Sequence, residues 1–393
     1  MRKVYTSHSD FLKQNETYGT GLPFSADVSV LGQAKTVGGI TFPNRLVCQP
    51  MEGCDGTPGG SPDELTLRRY DRLARGGAGL VWYEATAVME EGRANPRQLY
   101  ITEQNLDDYK RQVERIKEEA MQANGYEPVV IMQATHSGRY SKPNGTPAPL
   151  IAYNNPIFEK DNPISKDRIV TDDYLDAVGE ALVQGARLAE QAGFDGVDIK
   201  CCHRYLNSEL LSAYEREGRY GGSLEFDPTE PVWLLQQLYS YGVRLLDITM
   251  GNPYFNPHVN RPFAMGGYTA EEHPIQGVKR MLSGIAKLKE QVPEMALICS
   301  ALTYLGVAAP NVAAAYIGAE QFDFAGFGRT ILAYPNFAKD ILSNGAMDPK
   351  KICICCSKCT EIMRKPGGTP GCVVRDKEVY LPIHKQLCGG AKA

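Results

Sequence analysis

No apolar run in the 393 residues approaches the roughly 18 a membrane span needs. The N-terminal stretch, residues 1–19, has basic residues but no apolar core, which argues against a secretory signal. Strong net charge is also missing. Forty-two Lys+Arg against 46 Asp+Glu leave −4, too little to draw the chain to nucleic acid or an anionic membrane. There is no low-complexity tract, and no G-x-G-x-x-G stands between a strand and a helix as a dinucleotide-binding fingerprint. With 43% hydrophobic and 22% charged residues, wholesale disorder is excluded. The expected compartment is the cytoplasm, where thiols stay reduced. The 11 cysteines are therefore read as ligands, reactive groups or core filler rather than disulfides. Five of them (Cys353, Cys355, Cys356, Cys359 and Cys372) crowd into one stretch near the C-terminus.

What is present is a repeating short apolar run followed by an amphipathic helical stretch. The runs are Arg45–Pro50, Gly79–Glu84, Val129–Gln133, Gly196–Lys200, Leu245–Thr249, Ala296–Ser300 and Phe322–Gly326. Helical stretches between them include Leu106–Asn124, Thr171–Gly193, Glu230–Tyr241 and Gly277–Val292, with Thr171 as N-cap and Gly193 as stop. Alternating βα units predict a parallel sheet. Seven runs suggest a (β/α)8 TIM barrel lacking one recognisable strand, with an open α/β sheet as the plainer alternative. In a barrel, working residues sit at the C-terminal ends of strands.

The residues just past those ends are distinctive as a set. They are Gln49-Pro50-Met51-Glu52-Gly53, Gln133-Ala134-Thr135-His136-Ser137-Gly138-Arg139, Lys200-Cys201-Cys202-His203-Arg204-Tyr205, Ser300-Ala301 and Gly326-Phe327-Gly328-Arg329. In this order they closely resemble the old yellow enzyme family of FMN-dependent ene-reductases. The branch is similar to that of 2,4-dienoyl-CoA reductase and trimethylamine dehydrogenase, and the resemblance covers residues 25–375. It implies that Pro50 and Met51 touch the flavin ring, and that the Gln133 amide meets its pyrimidine edge, where it can donate and accept at once. It implies a phosphate site at Ser300, Ala301, Gly326, Gly328 and Arg329, where small residues admit backbone N–H groups and Arg adds charge. Lys200 and His203 would hold a substrate carbonyl or carboxylate, and Tyr205 would donate a proton. His136 would face flavin or substrate, and Arg139 would anchor its loop. Glu84 serves either the cofactor or the fold. The plainer readings are a structural ion pair for Lys200 with Asp198 or a barrel neighbour, and a packed aromatic for Tyr205.

The spacing Cys353-x2-Cys356-x2-Cys359-x12-Cys372 has the form of a [4Fe–4S] site, three thiolates on one loop and a fourth returning from a distance. Cys355 competes with Cys356 for the second position. Zinc is the alternative for four thiolates, but Cys372 lacks the near partner of a zinc ribbon. The expected division is a flavin-binding barrel over residues 1–345 and a cluster-binding segment over 346–393.

Two departures from the family pattern carry expectations of their own. The larger relatives continue into FAD- and nicotinamide-binding domains, whereas this sequence stops at Ala393. The electron donor would then be NAD(P)H acting directly or a separate electron-transfer protein. Second, a fifth strand and its helix are missing between Glu225 and Phe226, a gap of about forty residues on the scale of a βαβ piece. The function expected is FMN-dependent reduction of the activated C=C of an enone or enoate. The alternatives are an amine-type dehydrogenase passing electrons out through the cluster, and a non-enzymatic Fe–S redox protein on a degenerate barrel. A homo-oligomer is compatible with the sequence.

Overall fold

The computed structural model describes residues 3–213, 216–220, 229–254 and 256–389. A short hairpin, β1 (Lys35–Val37) and β2 (Ile40–Phe42), precedes the main sheet. The main sheet has seven strands, namely β3 (Leu46–Cys48), β4 (Leu80–Ala87), β5 (Val129–Thr135), β6 (Gly196–Ile199), β7 (Leu245–Asp247), β8 (Ala296–Cys299) and β9 (Phe324–Phe327). Each falls on one of the seven apolar runs of the sequence. All pairings are parallel, in the order β6-β5-β4-β3-β9-β8-β7.

That order decides between the two architectures. The first main strand, β3, pairs with the last, β9, in the register Leu46↔Ala325 and Val47↔Gly326. A doubly wound sheet does not join its first and last strands, whereas a barrel does. The sheet is thus curled as in a barrel but open between β6 and β7, which are its two ends. Among the described residues no strand covers either edge. Glu225 and Phe226, where the sequence places a missing βα unit, lie outside the described residues.

Side chains alternate faces along each strand. Val47, Leu80, Trp82, Ala296, Ile298 and Phe324 form one cluster in the bore, closed below by Phe42 of β2, whose ring lies 4.9 Å from that of Phe324. Their neighbours Leu46, Cys48, Val81, Tyr83, Leu297 and Cys299 pack outward in the larger core under the helices. Burial on both faces explains why these strands read as continuous apolar runs. The helices end where local chemistry stops them. Thr171 accepts a hydrogen bond from the Tyr174 amide (3.2 Å) to start Asp172–Gln191, and Gly193 follows it at φ +88°.

Two polar arrangements tie the framework together. Beneath the β3 loop, Arg69 pairs with both Asp55 and Glu84, and Glu84 also accepts the Gly53 amide at 2.6 Å. Both carboxylates are fully buried. At the C-terminal end, Asp376 binds Arg68 (2.8 Å) and Arg72 (2.5 Å), which fastens the helix Lys377–Cys388 to the barrel helix Glu64–Ala74.

The strands flanking the opening each place a carboxylate in the bore. Asp247 accepts from Gln49 Nε2 (2.8 Å) and Ser300 Oγ (2.7 Å), and Asp198 accepts from Gln133 Nε2 (2.6 Å). Burial pushes Asp247 up to about 7 and Asp198 up to about 6, against the pull of these hydrogen bonds.

Two consequences can be measured. Arg69→Met would strand two buried carboxylates and should cost about 3–5 kcal/mol in denaturant unfolding; a loss below about 1 kcal/mol would contradict the ion cluster's role. For Asp247, a pKa raised on folding gives stability that is complete below the unfolded value near 3.8 and lost as pH rises through about 7. Asp247→Asn should therefore flatten the fall in melting temperature between pH 4 and 7; an unchanged slope would show that Asp247 does not titrate in that window.

Candidate active site

The C-terminal ends of the strands border a cavity of about 1950 Å3, which also runs down the open side of the sheet past Val129, Gly196 and Leu245 to Phe42 of the hairpin. Of the residues singled out from sequence, Pro50, Met51, Gln133, Lys200, His203, Tyr205, Ser300, Ala301, Gly328 and Arg329 all line it. The structure brings together on one rim residues up to 279 positions apart (Arg329 and Pro50). His136, Glu84, Gly326 and Arg139 lie off the cavity wall. His136 is buried, with Nε2 2.9 Å from the Tyr174 hydroxyl and Nδ1 accepting the Gly138 amide at 3.1 Å; burial lowers it to about 4 and keeps the ring neutral. Glu84 is held in the Arg69 cluster, the fold-serving side of its two readings. Gly326 packs beneath Gln49, where a Cβ would come within 2.9 Å of the Gln49 amide nitrogen. Arg139 anchors its loop, paired with Glu159 (2.8 Å) and Glu209.

The turn after β6 holds the polar centre of the site. His203 and Arg204 both adopt left-handed backbone angles, φ +63° and +56°. This is a costly conformation that turns the chain sharply at the strand end. Lys200 Nζ lies 2.6 Å from Glu52 Oε1, and the Tyr205 hydroxyl donates to the same oxygen at 3.1 Å. The Lys200 ammonium also sits 4.1 Å from the Tyr205 ring centroid. Tyr254 hydrogen-bonds the Tyr205 hydroxyl from the β7 side. Lys200 thus has a carboxylate partner, but it is Glu52 and not Asp198. Glu52 and Tyr254 were not singled out from sequence. Glu52 had a signal, since it directly follows Met51 at a strand end.

Electrostatics fix the protonation of this group. Burial, then the Glu52 charge, hold the Tyr205 phenol well above its usual range, so it keeps its proton. Burial, then the charges of Lys200 and Arg261, lower His203 to about 3, so its imidazole is neutral. Burial alone would pull Lys200 down; Glu52 outweighs it and the ammonium is favoured.

On the β8–β9 side, Ala301 takes a left-handed conformation (φ +68°) and Gly328 precedes Arg329. Arg329 donates through Nη2 to the Pro262 carbonyl (2.8 Å), while its Nη1 is buried without a hydrogen-bond partner among the described residues. A buried guanidinium nitrogen left open beside small residues fits an anionic ligand such as a phosphate. Arg329 also borders a second, small pocket of about 20 Å3 lined by Cys353, Cys355, Cys356, Cys359 and Cys372. Cys359 lines the large cavity as well, so the two spaces adjoin. The small pocket has room for about one water. Among the described residues no group of three or more His, Cys, Asp or Glu is arranged to hold a metal ion. The expected ligands Cys353, Cys356, Cys359 and Cys372 therefore converge, with Cys355 beside them, without forming a ready-made metal centre.

Residues 34–226 match the family described as NADH:flavin oxidoreductase / NADH oxidase. An NADPH dehydrogenase of Geobacillus sp. is 32% identical over 195 residues, 48% of this chain and 54% of the relative. The chain spans about half the length of the curated relatives it matches. A metal reductase of Desulforamulus reducens is 25% identical over 364 residues, 84% of this chain and 51% of the relative. Among solved structures, a 2-naphthoyl-CoA reductase bound to 2-naphthoyl-CoA shares the fold at TM-score 0.65 and 17% identity, over 88% of this chain and 57% of that one. The old yellow enzyme homologue from Zymomonas mobilis does so at TM-score 0.56 and 18% identity, over 81% of this chain and 93% of that one. The order of strand ends, the rim they build and the family match agree: residues 34–226 belong to the NADH:flavin oxidoreductase / NADH oxidase family, the old yellow enzyme family.

Proposed function

We propose that the protein is an FMN-dependent reductase of the activated C=C in an α,β-unsaturated carbonyl or carboxylate. The observation that carries this reading is the protonated Tyr205 phenol held beside the Lys200 ammonium and the neutral His203 on the rim of one large cavity. FMN, with NAD(P)H or a reduced carrier as donor, supplies the hydride when bound. Pro50 stiffens the wall against which the ring would lie, Met51 would touch the ring, and Ser300, Ala301, Gly328 and Arg329 would receive the phosphate. Gln133 can serve the ring only by sharing an amide that now donates to Asp198.

The remaining work belongs to the side chains. As hydride adds to the β-carbon, negative charge grows on the activating oxygen; the Lys200 ammonium and a His203 N–H stabilise it. For this transfer the Tyr205 hydroxyl turns from Glu52 to the substrate: its O–H bond breaks, a C–H bond forms at the α-carbon, and the Lys200 ammonium offsets the phenolate left beside Glu52. A cationic anchor suits a carboxylate or thioester enolate, and among the fold's neighbours one carries a bound CoA thioester.

The division into a barrel over 1–345 and a cysteine segment over 346–393 is part of the same reading, as is a [4Fe–4S] cluster on Cys353, Cys356, Cys359 and Cys372. The thiol donor set and its convergence support the cluster. The volume between the thiols does not yet accommodate it, so no step is drawn through it. One relative, matched over 84% of this chain, is a metal reductase.

Two measurements test the reading. Tyr205→Phe should slow enone or enoate reduction by about 10²–10⁴-fold, as for a lost general acid, while leaving flavin reduction by NAD(P)H near wild type. Equal loss in both half-reactions would contradict the proton-donor role. Anaerobically purified protein should carry iron and acid-labile sulfide in equal amounts, both lost in Cys359→Ser. Zinc in their place would overturn the cluster.

A further inference from the structure

Glu52 has an unusual station. It leaves the end of β3 directly after Met51, and its Oε1 receives two donors from the turn after β6, Lys200 Nζ at 2.6 Å and the Tyr205 hydroxyl at 3.1 Å. Oε2 lies 3.4 Å from the same hydroxyl. The side chains of Lys200 and Glu52 are 3% and 11% exposed, so water contributes little to either charge. The groups that face Lys200 are few. Glu52 comes from the β3 loop, Asp198 from β6, Cys202 and His203 from the turn, and the Tyr205 ring lies beneath it. Asp198 is turned toward Gln133 and is itself pushed up by burial, which weakens it as a counter-ion.

We propose that Glu52 is a positioning residue, one that keeps the substrate-facing Lys200 cationic and fixes the place of the Tyr205 hydroxyl oxygen at the cavity rim. It does not itself donate to substrate. Its carboxylate fixes where two donors sit, which is the pre-organisation an electrostatic site needs. This inference rests on the reductase reading above for its catalytic consequence. The pairing of Glu52 with Lys200 stands on the distances alone.

The test uses the full-length protein, purified anaerobically and labelled with 13Cε-lysine, with the Lys200 resonance assigned by its loss in Lys200→Arg. In the wild type the Lys200 signal should not titrate between about pH 6 and 9, given the ordinary lysine value near 10.4. In Glu52→Gln, a buried ammonium without its carboxylate should titrate with a midpoint at least about two pH units lower. The rate of enone reduction should gain a matching fall on the alkaline side, with Km for the substrate rising as Lys200 discharges. Glu52→Asp, one methylene shorter, should give an intermediate midpoint, and it provides the readout independently if the Gln variant does not fold. A Lys200 midpoint unchanged in either variant overturns the proposal. If the wild type reduces no enone but the midpoint still falls in Glu52→Gln, the positioning role is supported and the reductase reading is what fails.

Discussion

The pairing of β3 with β9 is the constraint on which the site depends. It joins the first four strands to the last three in one curled sheet, open between β6 and β7, so their C-terminal ends point to one rim. Residues from both ends of the sequence then face each other across a single cavity. Without that closure, Pro50 and Met51 would not share a wall with Ala301 and Arg329. The alternation of side chains along the strands completes the arrangement. One face fills the bore with Val47, Leu80, Trp82 and Ile298, while the other seals the layer under the helices.

The rim is electrostatically divided. On the β3–β6 side, one carboxylate organises an ammonium and a phenol, and burial keeps the neighbouring imidazole neutral. On the β8–β9 side, a buried guanidinium leaves one nitrogen open and borders the cysteine pocket. Between them, Asp198 and Asp247 sit in the bore on the two strands that flank the opening of the ring. Their raised pKa values reflect burial, which outweighs the hydrogen-bond donors at both and the Lys200 charge near Asp198. The proposed reduction would use this separation, with an anionic cofactor group held at one end and a proton source kept protonated at the other.

Much of the framework was legible in the sequence because it follows from periodicity. Strands buried on both faces read as apolar runs, and the half-buried β6 and β7 beside the opening were visible in the same way. The helix Leu106–Asn124 and the cap at Thr171 were visible for the same local reasons. What sequence could not show were partners chosen across the fold. Lys200 meets Glu52 over 148 positions, so no spacing rule reveals the pair. His136 matches a motif, yet Tyr174, from a helix it does not adjoin in sequence, takes its ring. Gln133 and Ser300 line the cavity as expected, but there they donate to Asp198 and Asp247. The cysteine spacing predicts convergence, which the structure shows, whereas the room between the thiols depends on how Cys355 and its neighbours fold at φ +51° and beyond.

The account's central claim is that this rim binds a flavin mononucleotide through both its ring and its phosphate. The most direct measurement is a fluorescence titration of flavin-free protein with FMN and, in parallel, with riboflavin, which has the same ring and no phosphate. The account predicts one-to-one quenching by FMN and binding of riboflavin weaker by about tenfold or more, since a charged hydrogen-bonded contact contributes about 1.5–3 kcal/mol. Equal affinity for the two, or no binding of either, would contradict it.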